Sequence, residues 1–264
     1  MASRETAVAG SFYPKEKKEL ETQLKAFFKG IKPVGKSKCI IAPHAGYMYS
    51  GNIAAHSYNA LEKSDTFVIL SPNHTGIGAD VSISDANFWE TPLGKIEVDS
   101  GFRQKLLEKL GIESEDLAHI GEHSIEVQLP FIQFLFPKAK IVPITIMEHS
   151  LKALEELGKA IFELGNSKIG VVASSDFTHG LPEKEAREKD LEAVKLIEKM
   201  DISGFHSKIL GERLTICGFA PIVAAMTFAR ESGLKSGKLL NYDNSASVTK
   251  DLNSVVGYAA IKFD

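Results

Sequence analysis

Apolar positions along the chain follow two periods. Leu20, Leu24, Phe27 and Phe28 recur at helical spacing until Gly30 and Pro33 supply a stop. The same spacing carries Phe102, Leu106, Leu107 and Leu110 behind the capping candidates Asp99 and Ser100. It recurs in Leu151, Leu154, Leu157, Ile161 and Leu164, which run from a Ser150 N-cap to Gly165. Residues 182–200 are dense in charge yet keep Ala193, Ile197 and Met200 as an apolar stripe, which predicts a helix with a solvated outer face. Between these segments lie short runs rich in β-branched residues: Cys39–Ala42, Phe67–Leu70, Ile141–Ile146, Ile169–Ala173 and Val255–Ile261. Runs of this length with little polar alternation predict strands covered on both faces. The pattern is α/β: a central β-sheet with helices on both faces.

Length changes this picture little. The 264 residues allow one or two domains, but no internal repeat, low-complexity tract or long linker divides them, so residues 1–264 are expected to form a single domain. A net charge of −3 offers no basic excess for nucleic acid. The first twenty residues turn charged within four positions and lack an apolar core, so no secretory signal is expected. The longest apolar runs are far too short to span a bilayer. No membrane association and a cytoplasmic location are therefore expected. Two cysteines, Cys39 and Cys217, cannot build a disulfide framework and suit a reducing compartment.

The eight histidines are unevenly placed, and three of them close apolar runs. IIAPHAGY puts His44 just past a strand, VILSPNHTG does so with His74, and VVASSDFTHG does so with Asp176 and His179. Ligands of open α/β sheets bind beyond the carboxyl ends of strands. Small and turn-forming residues around these histidines let the loops approach one another. Three strands therefore deliver imidazoles to one edge of the sheet, provided the strands are neighbours in it.

Cys217 lies in LTICGFAP, before a buried helix predicted through Ile222, Val223, Ala225 and Met226 with Pro221 in its first turn. A cysteine near a helix N-terminus can serve as a thiolate ligand or as packing, and spacing does not decide between them. Cys39, inside a strand run, reads as packing. GEHSIEVQLP supplies Glu122, His123 and Glu126 before an apolar helical run ending around Phe134 to Phe136. Site residues and helix-start residues are equally consistent with that cluster. His119 and His123 are four apart, but Gly121 between them argues against a helical metal pair. His56, His119, His149 and His206 carry no pattern that points to a site.

Together, IIAPHAGYMYSG, LSPNH, GEHSIEVQLP, SSDFTHG and TICG, with AGSFYP near the start and LNYDNSASV and SVVGYAA near the end, resemble the Memo family. The blocks run in order from about Ala9 to Ala260. The resemblance implies a fold similar to class III extradiol dioxygenases, which are non-haem iron enzymes. It implies His44, His74 and Cys217 as metal ligands, with Asp176 and His179 as the polar pair of the same pocket. It also implies AMMECR-type and radical-SAM proteins as partners. The chain departs from vertebrate members at Thr75, Gly180, Phe219 and Ala220, where those carry His, Trp, Arg and His. Phosphotyrosine recognition, attributed to animal members, needs cationic neighbours for its phosphate, and the position beside Cys217 no longer supplies one.

Two imidazoles and a thiolate form an open three-ligand set suited to Fe(II) or Cu, with Zn as a further candidate. Its ligands span most of the chain, unlike the tight pairs of structural zinc sites. Asp176, His179 and His123 are then acid–base groups or supports for the ligands. Three functions compete: a metal-binding protein with a redox-active site, an extradiol-type dioxygenase acting on a small aromatic substrate, and a non-catalytic module binding a peptide or protein in the same pocket. Tyr13, Tyr47, Tyr49 and Trp89 are candidate pocket walls, and places in the core or at a rim suit them equally.

Overall fold

A computed structural model describes residues 2–165 and 168–264. The chain begins with β1 (Ser3–Arg4), α1 (Lys17–Phe28), β2 (Cys39–Ala42), α2 (Tyr47–Ala60) and β3 (Thr66–Pro72). Three short strands, β4 (Val81–Ile83), β5 (Phe88–Thr91) and β6 (Gly94–Glu97), precede α3 (Ser100–Leu110), α4 (Leu129–Leu135) and β7 (Lys140–Ile146). Then come α5 (Leu151–Gly165), β8 (Ile169–Ser174), β9 (His179–Leu181), α6 (Glu183–Glu198), α7 (Ile202–Glu212) and α8 (Phe219–Glu231). The chain ends with β10 (Gly237–Asn244), α9 (Ala246–Thr249) and β11 (Val255–Phe263).

The main sheet has the order β10-β11-β2-β8-β3-β7-β4, with β9 pairing β11 off that path. Its centre, β2-β8-β3-β7, is parallel, and the flanking β11 and β4 run antiparallel to it. A smaller sheet has the order β1-β5-β6. The apolar runs that predicted central strands all form them. Their alternation explains the two-sided burial: Cys39 and Ile41 enter a core built with α3, α5, α7 and α8, while Ile40 and Ala42 enter one built with α1, α2 and α4. Helices thus cover both faces, and the fold is single-domain α/β. Among the described residues, no helix is long and apolar enough to cross a membrane.

Local signals set the helix ends. Asp99 caps α3 by accepting from Phe102 N at 3.0 Å, and Gly111 closes it at φ 66°. Every residue of α8 from Phe219 to Ala229 is buried, which is why its sequence shows no polar face. The charged run forms α6 largely as expected, with one difference. Asp190, read as part of a solvated face, is fully buried and accepts from Thr178 N at 3.0 Å and Tyr242 Oη at 2.8 Å.

Candidate metal centre

Because β2, β8 and β3 are adjacent and parallel, their carboxyl ends open side by side. The loops after them bring His44, Asp176 and His74 to one edge of the sheet. Cys217 arrives from the loop before α8. Its neighbour Gly218 donates its N–H to Ser175 Oγ at 3.0 Å, and a Cβ at Gly218 would collide with Ser175 and the Ser174 carbonyl. Only a glycine lets this loop lie on the end of β8.

One ligand atom each from His44, His74 and Cys217 falls within 4.8 Å of the others. His44 Nε2 and Cys217 Sγ are 3.3 Å apart. Bonds of about 2.0 Å to imidazole and 2.3 Å to thiolate would set tetrahedral neighbours about 3.5 Å apart. The pair therefore needs to adjust by only a few tenths of an ångström.

The hydrogen bonds determine which nitrogen of each ring is free. Ser174 Oγ donates its one proton to Ser124 O at 2.7 Å and accepts from Gln128 Nε2 at 2.8 Å. Only acceptor capacity is left for His44 Nδ1 at 2.9 Å, so that nitrogen carries the proton and Nε2 presents its lone pair towards Cys217. Glu122, fully buried, does the same for His74. Its Oε1 accepts from His74 Nδ1 at 3.0 Å and from the N–H groups of His123 and Ser124, both at 2.9 Å. Its Oε2 accepts from His74 N at 2.6 Å. A carboxylate or hydroxyl behind each ring is the support that orients metal-binding imidazoles.

Electrostatics agrees with this reading. Burial, together with the proximity of His74 and His123, holds the His44 imidazole well below its ordinary value, so the ring is neutral near pH 7. Burial also raises Glu122, but the hydrogen bond and charge of His74 and the surrounding N–H groups outweigh it and bring the carboxyl down to about 2. Burial and the charge of Asp176 push the Cys217 thiol well above its usual range, so a cation binding there has to displace that proton.

Asp176 Oδ1 accepts from His44 N at 2.8 Å and Ala45 N at 3.3 Å, while Oδ2 stands 4.0 Å from His44 Nε2. Burial lifts this carboxyl to about 6 against those hydrogen bonds. His179 donates Nδ1–H to Thr215 O at 2.9 Å, which leaves Nε2 as its free acceptor. Asp176, His179 and His123 line a cavity of about 320 Å³ walled by Phe12, Tyr49 and Tyr258. The His123 ring stacks on His74 at 4.8 Å and meets Phe12 at the same distance.

Of the four candidate aromatics, Tyr49 lines the cavity. Tyr13, Tyr47 and Trp89 are buried in the core instead. His119 is also buried, with Nε2 at 3.0 Å from Ser82 Oγ, and His206 Nε2 donates to the His149 carbonyl at 2.7 Å. Sequence reasoning did not single out Ser174, Gln128, Phe12 or Tyr258. The serine in SSDF and the glutamine in EVQLP were visible inside the quoted motifs, but a hydroxyl or amide behind an imidazole leaves no spacing signature.

The family model described as Memo-like protein matches residues 4–262. A MEMO1 family protein of Methanosarcina barkeri is 42% identical over 263 residues, covering 98% of each chain. Another, of Aquifex aeolicus, is 37% identical over 267 residues and covers 100% of both. An uncharacterized protein of Escherichia coli K12, known from a crystal structure, superposes with a TM-score of 0.57 at 13% identity. It covers 85% of this chain and 99% of its own, and shares the fold alone.

Proposed function

This chain belongs to the Memo family, and from that premise we propose that it binds a redox-active Fe(II) or Cu ion through His44, His74 and Cys217. One observation carries the proposal. Two independent supports, Ser174 and Glu122, each engage Nδ1 of one ring, which leaves His44 Nε2 facing Cys217 Sγ and Nε2 as the uncommitted nitrogen of His74, the third member of that cluster. Random packing of histidines has no reason to fix both tautomers in the same sense. Imidazole and thiolate donors fit iron, copper or zinc better than hard cations. A bound iron or copper ion would supply one-electron chemistry and a coordination position open to a small molecule.

The chain's own residues do the rest. Ser174 and Glu122 keep the imidazoles oriented by accepting from Nδ1 of each ring. Asp176 Oδ2 and His179 Nε2 are the groups able to take or return a proton at the cavity floor. Phe12, Tyr49 and Tyr258 exclude water from the cavity walls.

Anaerobic purification followed by elemental analysis and electron paramagnetic resonance tests this reading. Wild type and Cys39→Ala should retain or take up about one equivalent of iron or copper. His44→Ala and Cys217→Ala should not. A wild type that takes up no transition metal, or equal uptake by all four proteins, ends the proposal.

The cavity beside the cluster favours a second reading, an extradiol-type dioxygenase acting on a small aromatic molecule. Oxygen uptake by iron-loaded protein across a catechol panel tests it, and a flat trace on every compound removes it.

A further inference from the structure

A second concavity lies between α1 and the β5–β6 hairpin, with a volume of about 630 Å³ against about 320 Å³ for the cavity beside the histidines. It includes Lys140, where β7 begins, and so opens at the opposite end of the parallel strands from His44 and His74. Nothing in the proposed metal chemistry uses it.

Its lining combines charge with apolar surface. Lys17, Glu21 and Lys25 stand at four-residue intervals and form one stripe of α1. Lys95 and Glu97 come from β6, and Lys138 and Lys140 from the turn into β7 and its first residue. Five lysines therefore face two glutamates of the lining, and with Glu90, the partner of Lys95, two positive charges remain in excess in a chain whose total is −3. Lys95 pairs with Glu90 at 3.0 Å and Lys140 with Glu97 at 2.5 Å. Among the described residues, Lys17, Lys25 and Lys138 make no ion pair, and all three are exposed. Phe88, Leu93 and Phe134 remain partly exposed beneath them.

We propose that this groove docks an acidic, partly apolar segment of a partner protein. Carboxylates of the segment meet Lys17, Lys25 and Lys138, while its apolar side chains cover Phe88, Leu93 and Phe134. Nucleic acid fits less well. Glu21 interrupts the lysines of α1 and Glu97 sits against Lys140, so a continuous phosphate track would meet two carboxylates. An acidic peptide can place its charges discontinuously and use the apolar floor. Exposed charges of this kind steer association and are screened by salt.

Fluorescence anisotropy with a short fluorescein-labelled peptide alternating glutamate with leucine and phenylalanine tests the proposal. The controls are the same peptide with lysine for glutamate, and an oligothymidylate. The acidic peptide should bind saturably and more weakly as salt rises. Its affinity should fall about tenfold in a Lys17→Glu/Lys25→Glu double variant, which loses two exposed pairs and gains two like-charge contacts. Carbodiimide should cross-link the peptide to Lys17, Lys25 or Lys138. Metal uptake by the double variant should match wild type, so failure of the docking surface is distinguishable from failure of the metal site. Absence of binding at about millimolar peptide, equal binding by the double variant, or preference for the oligothymidylate overturns the proposal.

Discussion

Glu122→Gln is the perturbation whose consequences can be worked furthest from the geometry. The carboxylate accepts four hydrogen bonds, from His74 Nδ1, His74 N, His123 N and Ser124 N, and its side chain is fully buried. The introduced amide has nearly the same shape but only one oxygen. Placed to serve the three donors at the Oε1 position, it turns its NH2 towards the His74 N–H, donor against donor. Flipped, it leaves the three donors facing NH2. At least one buried N–H therefore loses its acceptor, at about 1–3 kcal/mol, and the remaining bonds lose their charge assistance. The depressed carboxyl expresses the same contacts as a free energy. A fall from the ordinary 4.5 to about 2 corresponds to about 3 kcal/mol of native-state stabilisation. The sign follows from the depressed pKa. The stabilisation is fully present above about pH 4.5 and is lost as pH falls towards about 2. Urea unfolding at neutral pH should show Glu122→Gln about 3 kcal/mol less stable than wild type, with the gap closing as pH falls through that window. In a competition titration the variant should bind metal about 10- to 100-fold more weakly, because His74 loses its charged support. A variant that matches wild-type stability across the pH range would refute the view that this carboxylate is held ionised by four donors.

Three further outcomes follow from the same structure. Ser174→Ala removes the acceptor of His44 Nδ1–H and should move that ring to the other tautomer at about 1–3 kcal/mol. Imidazole nitrogen NMR reads the tautomer, and an unchanged spectrum would assign its control elsewhere. Arg4→Met leaves Glu126 buried without the guanidinium that also donates to the His119 and Glu122 carbonyls, and should cost about 3–5 kcal/mol by thermal unfolding. A loss under about 1 kcal/mol would mean that this pair is dispensable. Gly218→Ala should destabilise by about 1–3 kcal/mol and lower metal uptake as the Cys217 loop is pushed off Ser175. Full uptake would mean that the loop finds another seat.

Fold legibility followed burial. Strands β2, β3, β7, β8 and β11 are covered on both faces and appear as unbroken apolar runs, a signal that needs no partner to be recognised. The polar edge strand β10 and the short β4 to β6 and β9 carry too few core positions to stand out. Asp190 was hidden for the opposite reason. It is surrounded in sequence by charges that face water, and only the packing of α6 against Thr178 and Tyr242 turns it inward.

The site divides along the same line. Sequence alone determined that His44, His74 and Asp176 follow strands, because hydrophobic periodicity and turn residues are local properties of the chain. It left Cys217 undecided between ligand and packing until family resemblance weighed in, and left Glu122 and His123 evenly balanced. The adjacency of β2, β8 and β3, the seating of Gly218 against Ser175, and the donors and acceptors that leave both Nε2 atoms free are decided only by tertiary structure. Strand order and hydrogen-bond direction depend on residues far apart in the chain, 173 positions for His44 and Cys217, and no local pattern encodes which of them meet.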